Sequence, residues 1–186
     1  MTRYVALLRG INVGGKNKVA MTDLRQLAQA LGHSEIATYI QSGNLVFTSG
    51  DEDAIALADA LEAEIARMLG VRPAVVVLSR ADLAQVIADN PFPEESNPKA
   101  LHAVFHRQPL ADETIADVAA AEQKARAKGS PDEAAVVGST LFMRTPDGLG
   151  RSELAAQLAR SVTKTAGTAR NWATVNRLLE MLDPAT

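Results

Sequence analysis

Residues 3 to 9 read Arg-Tyr-Val-Ala-Leu-Leu-Arg, an almost unbroken apolar run of the kind that forms a central strand. A glycine-rich loop follows, from Gly10 to Met21. Leu24, Leu27, Ala28 and Leu31 then recur at i, i+3, i+4 and i+7, which predicts a helix capped by Thr22 and stopped by Gly32. Strand-like segments at Ile36 to Gln41 and Leu45 to Ser49 flank Ser42-Gly43-Asn44, the composition of a tight hairpin. From Glu52 to Leu69 a second amphipathic pattern offers Ala54, Leu57, Ala58, Leu61, Ile65 and Met68 as its buried face. Gly70 ends that helix, and Ala74 to Leu78 is again a strongly apolar strand. The order strand, helix, strand, strand, helix, strand predicts a ferredoxin-like βαββαβ unit in an α+β protein.

Ser79 and Asp82 form the signature of a capping box before a short helix to about Asp89. The Pro- and Glu-rich stretch that follows reads as a linker. The expected division is a ferredoxin-like subdomain over 1–90, a linker over 91–99, and a second α+β subdomain over 100–186. In the second half, Leu101 to His106 is a strand and Asp112 to Lys128 an alanine-rich helix. Ala134 to Val137 and Thr140 to Arg144 form a hairpin around Gly138-Ser139. Helices are expected from Ser152 to about Val162 and from Asn171 to Leu182. No closing strand is visible, so this half reads as a degenerate βαββα repeat with a C-terminal helix.

Composition narrows the chemistry. The chain has no cysteine, which excludes a disulfide scaffold, a thiolate metal site and a cysteine nucleophile. The apolar run Val5 to Leu8 is too short for a signal peptide or a membrane span, so a cytoplasmic location and no membrane partner are expected. The net charge is −3, which disfavours a general nucleic-acid binder. Its distribution is uneven. Met1 to Thr22 carries Arg3, Arg9, Lys16 and Lys18 without an acid. Asp51 to Glu64 carries six acids without a base, and Leu154 to Leu179 carries Arg160, Lys164, Arg170 and Arg177 without an acid. Either these are solvated faces, or the two basic ends converge on an anion.

Three stretches could hold such an anion. Gly10-Ile-Asn-Val-Gly-Gly-Lys-Asn17 nearly spells a phosphate-binding loop, with glycines that admit an oxyanion to backbone N–H groups and Lys16 to add charge. Asn17 replaces the hydroxyl residue that would hold magnesium, and the next helix starts too late for its N-terminus to meet a phosphate. Asp147-Gly-Leu-Gly-Arg-Ser152 places Arg151 beside a helix start, although Ser152 could equally be an ordinary cap. Thr168-Ala-Arg-Asn-Trp172 opens the last helix, capped by Thr168 or Asn171. Arg170 would then sit at the positive end of the helix dipole, which calls for a compensating anion. Trp172, the only tryptophan, reads as a core anchor more readily than as a stacking platform. His102 and His106 share a strand face, but their Cα atoms would lie roughly 13 Å apart, too far for one ion, so no metal site is expected.

Four ordered stretches carry a resemblance: Leu8 to Val19, Tyr39 to Phe47, Gly148 to Ser152, and Thr168 to Thr174. Together they resemble the signature segments of the domain of unknown function 1697 family of bacterial proteins, over nearly the whole chain. The resemblance implies an α+β protein with a ferredoxin-like N-terminal part and supplies no activity. Ala20 stands where that family tends to have proline. The matching polar residues are Arg9, Asn12, Lys16, Gln41, Ser42, Asn44, Arg151, Ser152, Arg170 and Asn171. Of these, Gln41, Ser42 and Asn44, with Trp172, are secondary candidates. The loop after strand one and the start of strand three are expected at opposite ends of the sheet, which would separate Lys16 from Asn44.

The resulting expectation is a protein binding a small anionic or phosphorylated ligand through its Gly/Lys and Arg-bearing loops. The alternatives are an RNA or single-strand nucleic-acid module, or a protein-interaction module with no small ligand. The sequence shows no acid–base pair or activated nucleophile and implies no cofactor. Whether the chain is an enzyme, and its oligomeric state, stay open.

Overall fold

The N-terminal apolar run forms β1 (Thr2–Leu8), an inner strand. β3 (Asn44–Ser49) runs antiparallel on one side of it and β4 (Val75–Ser79) antiparallel on the other. β2 (Ser34–Tyr39) pairs outside β3, giving the order β2-β3-β1-β4. Tyr4, Ala6 and Leu8 of β1, Leu45 and Phe47 of β3, and Val75 and Val77 of β4 belong to one core. Leu24, Leu27 and Ala28 of α1 (Met21–Ala30) and Leu57, Ala58, Leu61 and Ile65 of α2 (Ala54–Leu69) complete it. The alternate residues Val5, Leu7, Val46 and Val76 are buried as well, which explains the missing polar alternation. Burying a side chain such as Leu61 or Ile65 contributes about 1.5–3 kcal/mol, so packing of this stripe outweighs propensity in holding α2.

The computed structural model describes residues 1–161 and 167–183. Among them are two four-stranded antiparallel sheets and six α-helices, and no helix is long and apolar enough to cross a membrane. The chain divides into two units, the first Met1–Gln85 with the chain from Arg177 onward, the second Val86–Asn176.

Helix ends show where side chains replace missing backbone partners. The Asp53 carboxylate accepts from the Ile55 and Ala56 N–H groups, and Gly70 closes α2 at φ 69°. Ser79 and Asp82 exchange the hydrogen bonds of a capping box at the start of α3 (Arg80–Ala88). Two details differ from expectation. Thr22 lies inside α1, whose N-cap is Ala20 without a side-chain bond. Met68 is 46% exposed although it continues the stripe of Leu61 and Ile65, in the last turn of α2.

The second unit contains β5 (Leu101–Phe105), α4 (Asp112–Ala127), β6 (Glu133–Val137), β7 (Thr140–Arg144), α5 (Glu153–Ser161) and β8 (Thr168–Asn171). α6 (Trp172–Leu182) follows. The expected end of α5 at Val162 lies outside the described residues, as does Lys164 of the basic run. The sheet order is β6-β7-β5-β8. The reading of this half as lacking a closing strand is therefore corrected. Thr168–Asn171 is that strand, pairing antiparallel with Phe105 to His102. Its sequence, Thr-Ala-Arg-Asn, has no apolar run, and β5 supplies the hydrogen-bonding partner that makes it a strand. Val118, Ala121 and Ala125 of α4 pack with Leu141 and Met143 of β7 and Leu154 and Leu158 of α5. The Pro-rich stretch is held inside this unit. Asn90 Oδ1 accepts from the Phe92 N–H at 3.0 Å, Glu95 accepts from Arg144 at 2.9 Å, and the Pro98 carbonyl accepts from the Trp172 N–H at 3.1 Å.

Candidate functional site

Because β1 and β3 are antiparallel, Leu7 at the end of one stands opposite Asn44 at the start of the other. The expectation that Lys16 and Asn44 belong to opposite ends of the sheet is thus corrected: the Gly10–Val19 loop and the Ile40–Gly43 turn lie at the same end. The Leu8 N–H donates to the Gly43 carbonyl at 2.8 Å. Gly43 has φ 82°, and a Cβ there would meet Leu8 Cβ at 2.8 Å and Ile11 Cδ1 at 2.9 Å. Only glycine fits that approach.

Asparagines shape this end. Asn12, at φ 55°, donates from Nδ2 to the Val19 and Gln41 carbonyls at 2.9 Å each, while its Oδ1 accepts from the Val19 N–H at 2.9 Å. The Asn12 N–H donates to the Asn17 carbonyl at 3.1 Å, and Asn17 Nδ2 donates to the Gly10 carbonyl at 3.1 Å. The residue that stands where a magnesium-holding hydroxyl would be therefore closes the loop on itself. Asn44 is fully buried and donates to the Tyr39 carbonyl and to Ser42 Oγ, both at 3.0 Å. Asn12 and Asn44 thus serve the backbone of the two loops, Ser42 Oγ accepts from the Asn44 amide, and Gln41 contributes its main-chain carbonyl.

The pinned loops carry exposed residues of two kinds. Arg9, Lys16 and Lys18 are exposed cations. Arg72 is a further exposed cation at this end, two residues before Ala74, whose carbonyl accepts from the Arg9 N–H. Among the described residues the Lys16, Lys18 and Arg72 side chains have no ion-pair partner. Beside them Val13 is 65% exposed and Ile40 51%. Ile40 is held at φ 47°, a region that β-branched residues rarely occupy. Lys18 was legible in the acid-free N-terminal run. Arg72 was not, because only the β1–β4 pairing brings it here.

The other candidates lie in the second unit. Ser152 is buried and caps α5, accepting from the Ala155 N–H at 2.9 Å and donating to Asp132 at 2.8 Å. The same Asp132 oxygen accepts from Ser130 Oγ at 2.7 Å and the Leu154 N–H at 3.3 Å. Asp132 already compensates this helix start. Arg151 is exposed, its Nε donating to the Asp147 carbonyl at 3.1 Å. Arg170 lies in β8, directly before the Asn171 that opens α6, 7% exposed, its guanidinium donating to Thr168 Oγ1 at 2.8 Å and the Ala169 carbonyl at 2.7 Å. Burial pulls its pKa down to about 10, which leaves it protonated at neutral pH. Asn171 caps α6 by accepting from the Thr174 N–H at 2.9 Å, and Trp172 packs against Phe142 with ring centroids 6.1 Å apart. A cavity of about 220 Å³ in this unit is lined by Pro91, Phe92, Pro93, Glu94, Glu95, Glu133 and Arg144, and Glu95 and Glu133 already hold the arginine. No cluster of histidine and carboxylate side chains suited to a metal is found among the described residues.

A family model described as "Protein of unknown function (DUF1697)" matches residues 1–142, which include both loops of the first unit. The chain belongs to this family. A solved structure described as that of conserved bacterial protein SP0830 from Streptococcus pneumoniae is 26% identical. It superposes with a TM-score of 0.74 over 98% of this chain and 99% of its own. No curated protein matches. The DUF1697 match thus covers the Gly10–Val19 loop and the Ile40–Gly43 turn and ends before Arg151 and Arg170.

Proposed function

We propose that the chain binds an anionic or phosphorylated group at the basic end of its first unit, on the Gly10–Val19 loop. The observation that carries this reading is the pairing of a fixed loop with unpartnered cations. Asn12 and Asn17 hold the backbone of a Gly-Gly-Lys turn, and Lys16 and Lys18 project from it with no ion-pair partner among the described residues. A fixed backbone lowers the ordering cost of binding, and clustered cations attract an anion over a Debye length. The order β2-β3-β1-β4 with helices packed on one face supports reading this unit as ferredoxin-like. Arg151 and Arg170 contribute less to this reading, since their donors already bond to main-chain carbonyls.

Recognition of single-stranded RNA draws less support. Stacking on a sheet needs exposed aromatic rings, whereas Tyr4 and Phe47 are buried beneath the helices.

The test is a titration of the protein with inorganic phosphate, pyrophosphate and phosphorylated metabolites, followed by amide resonances and thermal shift. Saturation at a hundred times the dissociation constant stabilises by about 2.7 kcal/mol. Shifts confined to Gly14–Lys18, lost in Lys16→Ala/Lys18→Ala at unchanged stability, are the expected result. Equal shifts in the variant would place binding elsewhere.

A further inference from the structure

The first unit carries opposite charge at its two ends. β1 pairs from Thr2↔Ser49 at one end to Leu7↔Asn44 at the other. Gly50 to Asp53 therefore lie at the end where β1 begins, and Arg9, Lys16 and Lys18 where it finishes. At about 3.3 Å per residue the strand separates them by roughly 20 Å. Asp51, Glu52 and Asp53 are all exposed, and Ile55 beside them is 46% exposed. The arginines Arg3 and Arg80 at this acidic end are already engaged, Arg3 with Glu35 and Arg80 with Asp183. At the basic end Val13 and Ile40 are the exposed apolar residues, and Ile40 occupies a strained conformation that keeps it in solvent.

We infer that the basic end of the first unit docks the acidic Asp51–Asp53 end of a second copy of this chain, head to tail. The inference rests on the reading of the basic end as an anion-recognising surface, and gives the carboxylates of a neighbouring copy as the anions. Cations around Val13 and Ile40 prevail at one end, where Glu62 is occupied by the Val75 N–H, and carboxylates around Ile55 prevail at the other. Charge complementarity of this kind sets register and speeds encounter more than it adds affinity, so the contact is weak and salt-sensitive. A head-to-tail contact uses different patches on the two copies and leaves one of each free. Assembly then continues past the dimer unless the rotation closes a ring.

Sedimentation of the full chain over a concentration series tests this. At low salt the weight-average mass should rise with concentration, and moderate salt should weaken association on the order of tenfold. Lys16→Glu/Lys18→Glu offsets the charge of Arg9 and Arg72 at the basic end, and Asp51→Lys/Glu52→Lys outweighs Asp53 at the acidic end, so each variant alone should stay monomeric. Mixed in equal amounts they should associate again. Asp51 also accepts from the Asp53 N–H, so Glu52→Lys, whose side chain makes no bond among the described residues, is the second acidic-end variant. A wild-type protein that stays monomeric at low salt, or folded variants that fail to associate on mixing, would overturn the inference. If phosphate still shifts Gly14–Lys18 in that monomer, the anion site stands and the self-docking falls. If phosphate shifts nothing, both fall.

Discussion

The side-chain amide of Asn12 donates to the Gln41 carbonyl at 2.9 Å across 29 positions of sequence. The same amide group reaches Val19, so one side chain ties the loop after β1 to the turn before β3. Asn12→Ala removes three hydrogen bonds and leaves a non-glycine residue at φ 55°. The expected loss is about 2–3 kcal/mol, read from the urea midpoint, since each bond contributes about 1 kcal/mol net. A loss within a few tenths of a kcal/mol would mean the loop is not held in this way.

Two glycines in the same region should respond differently. Gly43→Ala brings both a strained φ and a Cβ within 3 Å of Leu8 and Ile11. Gly14→Ala meets the strain alone, because nothing lies within 4 Å of its Cβ position. We expect Gly14→Ala to cost about 1 kcal/mol and Gly43→Ala at least twice as much. Equal thermal shifts for the two variants would contradict the packing at Gly43.

Ile40 sets stability against exposure. Replacing this left-handed isoleucine by asparagine, which tolerates that conformation, should stabilise the fold by about 1 kcal/mol in chemical denaturation. If the side chain serves the docking of a second copy, the stabilised variant should also associate less in sedimentation. A stability unchanged or lowered would show that Ile40 bears no strain.

Asp132 holds the start of α5 through Ser130, Ser152 and the Leu154 N–H on one carboxylate oxygen. Asp132→Ala is expected to cost about 2–3 kcal/mol, as for hydrogen bonds to a charged group. Combined with Ser152→Ala the losses should be less than additive, with a coupling of about 1 kcal/mol in a double-mutant cycle. Additive losses would mean the two side chains act separately.

His102 gives a pH dependence of defined sign. It stands opposite Met143 and Asn171 in the sheet, 8% exposed, with Nδ1 buried and without a hydrogen-bond partner among the described residues. Burial lowers its pKa below the ordinary 6.5. The unfolded chain therefore takes up a proton at a pH where the folded chain does not. Stability is full above about pH 6.5 and falls as the pH drops from there toward the folded value. His102→Leu should flatten that part of the Tm profile, and an unchanged slope would assign the dependence to other groups. His33 is also lowered by burial, chiefly through desolvation and partly offset by Asp51, so some slope remains in the variant.

Helices α1 and α2, their glycine stops and the turn at Gly43 were legible because each depends on neighbours in sequence, although the turn spans residues 40–43 and Asn44 already belongs to β3. Periodicity at 3.6 residues reports a helix face, and glycine reports a left-handed φ, whatever lies across the fold. The four motifs pointed to the family for the same reason, as local strings. What they could not report was the job of each polar residue. Asn12, Asn44, Ser152 and Asn171 read as ligand groups from their motif positions, yet each spends its side chain on holding a loop or a helix start. An asparagine that binds a ligand and one that pins a loop look alike until its partners are known.

Strand pairing decided the rest. Thr168–Asn171 carries no strand pattern and became β8 because β5 had an open edge beside it. Lys16 and Asn44 share an end of the sheet because antiparallel pairing sets the end of β1 against the start of β3. Arg72 joined the basic end through β4 alone. The sequence by itself determined the helices, the turns and the charged segments, since those follow from spacing and composition. The tertiary structure decided which segments share an end of a sheet, since a hydrogen-bonded ladder joins residues that no local pattern connects.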